Sequence, residues 1–570
     1  MTDGAGASLS ARDVSFTYRG AERPALRDAS VTLEAGQFGY LMGRTGAGKS
    51  TLCLCLNGII PQMQPGEFDG QVLVGGEDVE GRPVYEVAGQ VGVLFQAFET
   101  QLLSSDVEAE IAFGLENAQM PRKQMQQRVD TMLALVGLEE LREREPSSLS
   151  GGQKQRLALA AILAPAPAAL ILDEPTTDLD PRGKQELMAI AERLTAEGVT
   201  MLVADHETED ALAADVLVVL CQGEVAYSGP PEELLRDPAR CRELGVRPLE
   251  MPELFARLGR SERPLTPEEA MEIARSEGWT LAPGALAAAS GGTSPEHDTG
   301  EVIIEVEDVR FTYPEGDAEA LTGVSAQIRE GEFVVILGEN GSGKTTLAKH
   351  LNGLLRPASG RVTVNGLDTR KASAQEMARQ VGYLFQNPDH QIFAETVAAE
   401  IAFGPRNLGV HADEIEVRVR ESLRMVGLEG YEERDPFVLT KGERQRVALA
   451  SILAQRPRVI VFDEPTTGLD GPQQEEMMER LAELNRGGQT IIIITHCTWA
   501  AAGYARRALV MDQGLLVADL PVRKLFEDDD LLARTNQVRP SVTALSRALG
   551  WPTLLTVDEA AAWLAAGGEG

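Results

Sequence analysis

Gly43-Arg44-Thr45-Gly46-Ala47-Gly48-Lys49-Ser50 recurs as Gly338-Glu339-Asn340-Gly341-Ser342-Gly343-Lys344-Thr345. Each copy follows an apolar run, Phe38 to Met42 or Phe333 to Leu337, and opens a helical-looking segment. Strand, glycine-rich turn and helix N-terminus in that order line up backbone N–H groups around phosphate oxygens. Gly43, Gly46 and Gly48, and Gly338, Gly341 and Gly343, allow the close approach. Lys49 or Lys344 reaches the outer phosphates, the Ser50 or Thr345 hydroxyl suits Mg2+, and Thr51 and Thr346 continue the same helix start. A glycine turn without a ligand is the plain alternative. The full spacing, found twice in the strand-to-helix context, argues against it.

The repetition extends beyond the loops. Phe95-Gln96 pairs with Phe385-Gln386, Leu172-Asp173-Glu174-Pro175 with Phe462-Asp463-Glu464-Pro465, and His206 with His496, each 290 positions apart (386 − 96, 463 − 173, 496 − 206). The glycine loops are 295 apart (338 − 43), so the first copy carries five extra residues, around Pro61-Gln62-Met63-Gln64-Pro65-Gly66. Two long copies are too few for a solenoid; they are two fused nucleotide-binding units. Phosphoryl transfer to water needs a metal, an in-line water and donors around the terminal phosphate. Asp173 and Asp463 end apolar strands (Ala169 to Leu172, Val459 to Phe462) and suit the metal's outer shell. Glu174 and Glu464 are then free to polarise the water as general bases. His206 and His496 follow apolar strands, Met201 to Ala204 and Ile491 to Ile494.

Between glutamine and Asp-Glu-Pro stands Leu149-Ser150-Gly151-Gly152-Gln153-Lys154-Gln155-Arg156, a helix start of the kind that binds anions. With five motifs in this order in each copy, residues 9 to 240 and 302 to 530 resemble ABC ATPases. The resemblance implies ATP and Mg2+ as cofactors. It implies that Ser150, Gly151, Gly152 and Gln153, and Thr440 and Gly442 in the second copy, meet the γ-phosphate held by the other copy. The copies then pair head to tail, which fusion makes intramolecular. It also gives Gln96 and Gln386 a place at the nucleotide and metal, His206 and His496 a contact with the γ-phosphate, and Tyr18 and Tyr313 the adenine-stacking role. The second copy departs from the pattern with Leu439-Thr440-Lys441-Gly442-Glu443, which faces the loop of the first copy in such a pairing.

Each copy ends in a tail. Pro252-Glu253-Leu254-Phe255 and Leu265-Thr266-Pro267-Glu268-Glu269-Ala270 recur as Pro540-Ser541-Val542-Thr543 and Leu555-Thr556-Val557-Asp558-Glu559-Ala560, with Thr266 and Thr556 as N-cap candidates. These tails, together with Gln386-Asn387-Pro388-Asp389-His390-Gln391, resemble the ATPases of energy-coupling-factor (ECF) transporters, importers of vitamins and transition-metal ions. Copy one keeps only part of the second pattern, in Gln96-Ala97-Phe98-Glu99-Thr100-Gln101. Such a resemblance implies a transmembrane scaffold subunit and a substrate-binding membrane subunit as partners, met peripherally on the cytoplasmic side of the membrane, with Glu99 and Asp389 offering carboxylates to them. A soluble tandem ABC ATPase acting on ribosomes or DNA, and a conventional ABC importer ATPase, are the other readings.

Composition bears on that choice. The chain has 570 residues and a formal charge of −34, which disfavours nucleic acid as a partner. No run approaches the roughly 20 apolar residues that span a bilayer, and Met1 to Gly6 does not read as a secretory signal. Five cysteines without a CxxC pair read as reduced thiols. The expected architecture is α/β, two tandem P-loop ABC domains. Each would have an antiparallel β subdomain, a helical signature subdomain (Lys123 to Leu141, Ala412 to Val426) and a small helical tail. The expected boundaries are 1–8 disordered, 9–240 first ATPase domain, 241–280 its tail, 281–300 flexible linker, 301–530 second ATPase domain and 531–570 its tail.

Overall fold

A computed structural model describes residues 6–177, 179–279, 300–314 and 319–567. The expected linker, apart from Gly300, and residues 1–5 lie outside them. The chain forms two compact units, one built mainly from residues before Glu250 and the other from most of the residues after Leu249.

The strands of the first unit are β1 (Leu9–Tyr18), β2 (Leu26–Leu33), β3 (Phe38–Gly43), β4 (Gly66–Val74), β5 (Glu77–Asp78), β6 (Val91–Leu94), β7 (Ala169–Asp173), β8 (Thr200–Ala204), β9 (Val216–Cys221) and β10 (Glu224–Gly229). They make an antiparallel sheet, β2-β1-β4-β5, and a second sheet, β10-β9-β3-β8-β7-β6, in which only β10 runs antiparallel. β3, β7 and β8 are buried along their whole length, as strands covered on both faces must be, which is why they read as unbroken apolar runs.

The second unit repeats the plan with β11 (Val302–Thr312), β12 (Glu319–Arg329), β13 (Phe333–Leu337), β14 (Ser359–Val364), β15 (Leu367–Asp368), β16 (Val381–Leu384), β17 (Val459–Asp463), β18 (Thr490–Ile494), β19 (Arg507–Asp512) and β20 (Leu515–Pro521). Its sheets run β12-β11-β14-β15 and β16-β17-β18-β13-β19-β20. The duplication reaches down to a bulge. Asp13 and Asp308 sit at φ +51° and +44°, and their N–H groups donate to Ser30 Oγ at 2.8 Å and Ser325 Oγ at 2.9 Å. The five extra residues of the first copy precede and lengthen β4, so that it pairs with β1 out to Tyr18↔Gly66, whereas β14 begins opposite Arg310.

Helices Val107–Asn117, Arg122–Val136 and Gly151–Leu163 form the helical part of the first unit; Val397–Asn407, Ala412–Met425 and Lys441–Leu453 form that of the second. The helix expected to reach Leu141 stops at Val136. Gly137 takes the left-handed C-cap at φ +66°, and Glu139–Leu141 is a separate 3-10 turn. Among the described residues no helix is long and apolar enough to cross a membrane.

The tails form one cluster. Glu250–Arg257 and Pro267–Ser276 pack with Ser541–Ala548 and Val557–Gly567 around Met251, Leu254, Phe255, Val542, Leu545 and Trp551. Thr266 and Thr556 are the N-caps the sequence suggests, accepting from Glu269 N at 3.3 Å and Glu559 N at 3.1 Å.

Candidate active site

The glycine loops, Gln96 and Gln386, the Asp-Glu pairs and the two histidines lie at or just beyond the carboxyl ends of parallel strands, where open α/β sheets place their ligands. Gly43 ends β3 with a Cβ position only 2.3 Å from Leu220 O, so no side chain fits there. Gly46 and Gly341 are left-handed (φ +78° and +81°), and beyond their Cβ positions there is open space, the concave side of the loop. Lys49 and Lys344 are buried. Their ammonium groups donate to Gly43 O at 2.9 Å, and to Gly338 O at 2.8 Å and Glu339 O at 2.7 Å. Burial lowers the Lys49 pKa, against the pull of Glu174 and Asp173. Tyr18 and Tyr313 stand beside the loop helices, each hydroxyl 3.1 Å from Oγ1 of Thr51 or Thr346.

Glu174 and Glu464 follow β7 and β17 in the left-handed region, at φ +50° and +52°. This backbone is costly for a glutamate and turns the carboxylate away from the strand line. The Glu174 N–H is held by Ala204 O at 2.7 Å and the Glu464 N–H by Ile494 O at 2.9 Å. In the first unit Glu174 gathers its neighbours: Gln96 Nε2 donates to Oε2 at 2.6 Å, His206 Nε2 lies 3.5 Å from Oε1, and Lys49 Nζ lies 3.3 Å from the same His206 nitrogen. In the second, His496 meets Glu464 through Nδ1 at 3.1 Å. Burial pushes the Glu464 pKa up, but His496 and Lys344 outweigh it and hold the group below the usual carboxylate range, ionised as a base must be.

Asp173 accepts from Ser50, and its Oδ1 is buried with no hydrogen-bond partner. Burial raises its pKa to about 6, the Ser50 bond opposing. Thr345 Oγ1 donates to Asp463 Oδ1 at 3.2 Å, and burial raises Asp463 as well. A hydroxyl and a carboxylate are hard oxygen donors of the kind Mg2+ takes, and the orphaned Oδ1 of Asp173 awaits one.

The signature elements are helix starts. Ser150 and Gln153 form a capping box (Ser150 N to Gln153 Oε1 2.9 Å), as do Thr440 and Glu443 (Thr440 N to Glu443 Oε2 2.9 Å). Gly151 has ordinary helical backbone and nothing within 4 Å of its Cβ position, so the lysine at 441 costs the fold nothing. Glu443 is folded back on Thr440 and accepts from Tyr431 Oη at 2.9 Å.

Some partners are not visible in the motifs. Gln155 and Gln445 are buried in the signature helices and donate to the carbonyls of Pro175 and Pro465 (2.6 Å for the latter), tying each helix to the turn behind the general base. Glu110 and Glu400 are buried and accept two backbone N–H groups each, from Leu103 and Ser104 and from Phe393 and Ala394, bracing the chain after the glutamine. All four recur at the 290-residue shift, the signal that would have found them. Glu99 and Asp389, expected to offer carboxylates to a partner, pair within the chain with their own signature helices, Lys154 at 2.9 Å and Arg444 at 2.7 Å. Gln101 bonds Phe95 N and Val93 O, both at 3.0 Å, while Gln391 turns to Ala448 O and Ser451 Oγ, so the two segments differ in their inner contacts.

Two strand-loop-helix phosphate cradles, each backed by an aspartate, a strained glutamate and a histidine, define a tandem nucleoside-triphosphate hydrolase. The pattern that describes the ABC transporter family matches residues 26–177 and 321–467. A "Putative ABC transporter ATP-binding protein" of Caldanaerobacter subterraneus subsp. tengcongensis is 45% identical over 554 residues, 96% of this chain and 97% of that one. A protein of the same description in Methanosarcina mazei is 37% identical over 579 residues, 97% of this chain and 96% of its own. Among solved structures, CbiO1 of Clostridium perfringens, titled as part of the ABC transporter complex CbiONQ, is 33% identical with a TM-score of 0.38, covering 41% of this chain and 95% of that one. The chain belongs to the ABC transporter family, as a tandem ATPase of two ABC domains.

Proposed function

We propose that this ATPase is the motor subunit of an importer of the ECF type, docked on the cytoplasmic side of a scaffold membrane subunit and a substrate-binding one, and driving uptake of a vitamin or a transition-metal ion. ATP binding closes the two ABC domains head to tail, and hydrolysis lets them reopen. Ser50 and Asp173, and Thr345 and Asp463, would hold Mg2+, which supplies charge neutralisation at the phosphates. Gln96 and Gln386 would contribute side-chain oxygens to it. The N–H groups of each cradle and Lys49 or Lys344 orient the phosphates, with Tyr18 or Tyr313 against the adenine. Glu174 or Glu464 polarises the attacking water, and His206 or His496 steadies that carboxylate and the γ-phosphate. Ser150, Gly151, Gly152 and Gln153, and Thr440 and Gly442, complete the opposite copy's site.

The observation that carries the transport reading is a pair of exposed apolar side chains behind each glutamine. Leu103 and Phe113 are 76% and 50% exposed in the first copy. Phe393 and Phe403 are 58% and 44% exposed in the second, their rings edge to face at 4.6 Å. Large exposed apolar side chains at equivalent places in both copies fit the burial of a partner's cytoplasmic helix. The double variant Phe393→Asp/Phe403→Asp is expected to lower recovery of membrane subunits in co-purification at least tenfold while nucleotide binding stays unchanged. Undiminished recovery would refute the docking site. Identifying the small molecule carried by the recovered complex names the solute.

A further inference from the structure

The two metal carboxylates are not held alike. In the second unit both oxygens of Asp463 are engaged, Oδ1 by the Thr345 hydroxyl at 3.2 Å and Oδ2 by Tyr383 Oη, which donates at 2.7 Å. In the first unit Asp173 has Ser50, and its Oδ1 is left without a hydrogen-bond partner. The difference traces to one position. Tyr383 on β16 is in register with Val461 on β17, two residues before Asp463; Val93 on β6 is in register with Ile171 on β7, two residues before Asp173. The phenol runs along the sheet to the carboxylate at the strand end, a reach that valine lacks. Tyr383 is buried, and its ring rests on Phe385 with centroids 4.9 Å apart, so its hydroxyl arrives from an immobilised ring.

We propose that Tyr383 is a positioning residue for the divalent cation of the second ABC domain, holding Asp463 in one orientation, and that the first domain, with Val93 there, binds its cation more weakly. A carboxylate pinned at both oxygens loses less freedom when it engages a metal or a metal-bound water. Groups that orient metal ligands in this way are worth about 10–100-fold in metal affinity. The inference rests on the reading that Thr345 and Asp463 hold the cation, and the controls below separate the two.

The test uses the full chain with Mn2+ as the spin probe and a non-hydrolysable ATP analogue, read by electron paramagnetic resonance. Lys49→Ala restricts nucleotide to the second domain. In that background Tyr383→Phe is expected to weaken Mn2+ binding about tenfold, while affinity for the analogue in EDTA and the melting temperature stay where they were. In the reciprocal background, Lys344→Ala, the variant Val93→Tyr is expected to tighten Mn2+ binding several-fold. A Mn2+ affinity within twofold of the parent in Tyr383→Phe, or a loss matched by metal-free nucleotide affinity, overturns the assignment. Should that variant fail to fold, Val93→Tyr decides alone, and an unchanged affinity there overturns it. Asp463→Asn guards the premise: if Mn2+ binding ignores it, the site itself is misassigned; if it responds while Tyr383→Phe is silent, only the role of Tyr383 falls.

Discussion

Glu464→Gln is expected to cut the ATPase rate of the assembled complex at least tenfold, whereas Glu174→Gln leaves more than half of it. The two glutamates share the strained backbone at a strand end, so the difference lies in what surrounds them. Glu464 is held ionised by His496 and Lys344, and Asp463 beside it is pinned at both oxygens. In a head-to-tail pairing, the site of Lys344, Asp463, Glu464 and His496 also receives the regular Ser150-Gly151-Gly152-Gln153. The site of Lys49, Asp173, Glu174 and His206 would in the same pairing receive Thr440-Lys441-Gly442-Glu443. Glu443 is drawn away onto Thr440 and Tyr431, so its charge is not the chief handicap. The handicap would be Lys441, a long side chain where Gly151 offers bare backbone, its ammonium end lying against Gly468. Removing one general base costs about 10²–10⁴-fold at its own site, but the total falls only to the rate of the other site. Single substitutions therefore report the division of labour, and the double substitution reports the full catalytic loss. Equal losses from the two single variants would sink the asymmetry and leave the ATPase assignment standing.

What was legible in the sequence was whatever is enforced locally. The glycine spacing, the aspartate and glutamate at a strand end and the histidine two residues past the next strand are dictated by backbone geometry at fixed offsets, and the structure places them together at the carboxyl ends of interior strands. The end of the helix from Arg122 was legible but misjudged: Gly137 stops it in the left-handed region although apolar residues continue past it. Partners that meet only through the tertiary fold were not legible from single motifs. Asp389 read as a carboxylate offered to a partner, and only the packing of the signature helix brings Arg444 within 2.7 Å. Tyr383 reads as an ordinary strand aromatic until β16 is set beside β17, when its hydroxyl falls on Asp463. The repeated tails announced helices and caps, and their repetition suggested that residues 251 to 280 and 540 to 562 pack together or on the cores; the fold shows which, since helices of both tails share one apolar cluster.

Trp551→Ala is expected to loosen residues nearly 300 positions away. The indole is buried at the centre of the tail cluster, between Trp279 at 6.3 Å and Trp563 at 5.0 Å, and Trp279 stacks in turn on Phe255 at 5.2 Å. This row of rings joins helices of both tails, with Met251, Leu254, Val542 and Leu545 packed in the same cluster. Glu250 Oε2 accepts from Val542 N at 2.8 Å, and Arg257 pairs with Asp558. The last tail is in turn bound to its own domain, by Arg523 on Glu559 at 2.7 Å and Glu527 on Thr553 at 3.0 Å. Truncating a buried tryptophan to alanine costs about 3–5 kcal/mol. Since about 1.4 kcal/mol is tenfold, amide exchange through opening of the cluster should speed up by roughly two to three and a half orders of magnitude. The acceleration should appear in Glu250–Arg257 and Pro267–Ser276 as well as in Ser541–Ala548 and Val557–Gly567, because the four helices lose the same core. Truncation at Val538 should go further and leave Met251, Leu254 and Phe255 open to solvent, seen as dye binding and early proteolysis of the first tail. If hydrogen exchange quickened only in the last two helices, the first tail would be held by something other than the second, and the cluster would not be the clasp that its packing describes.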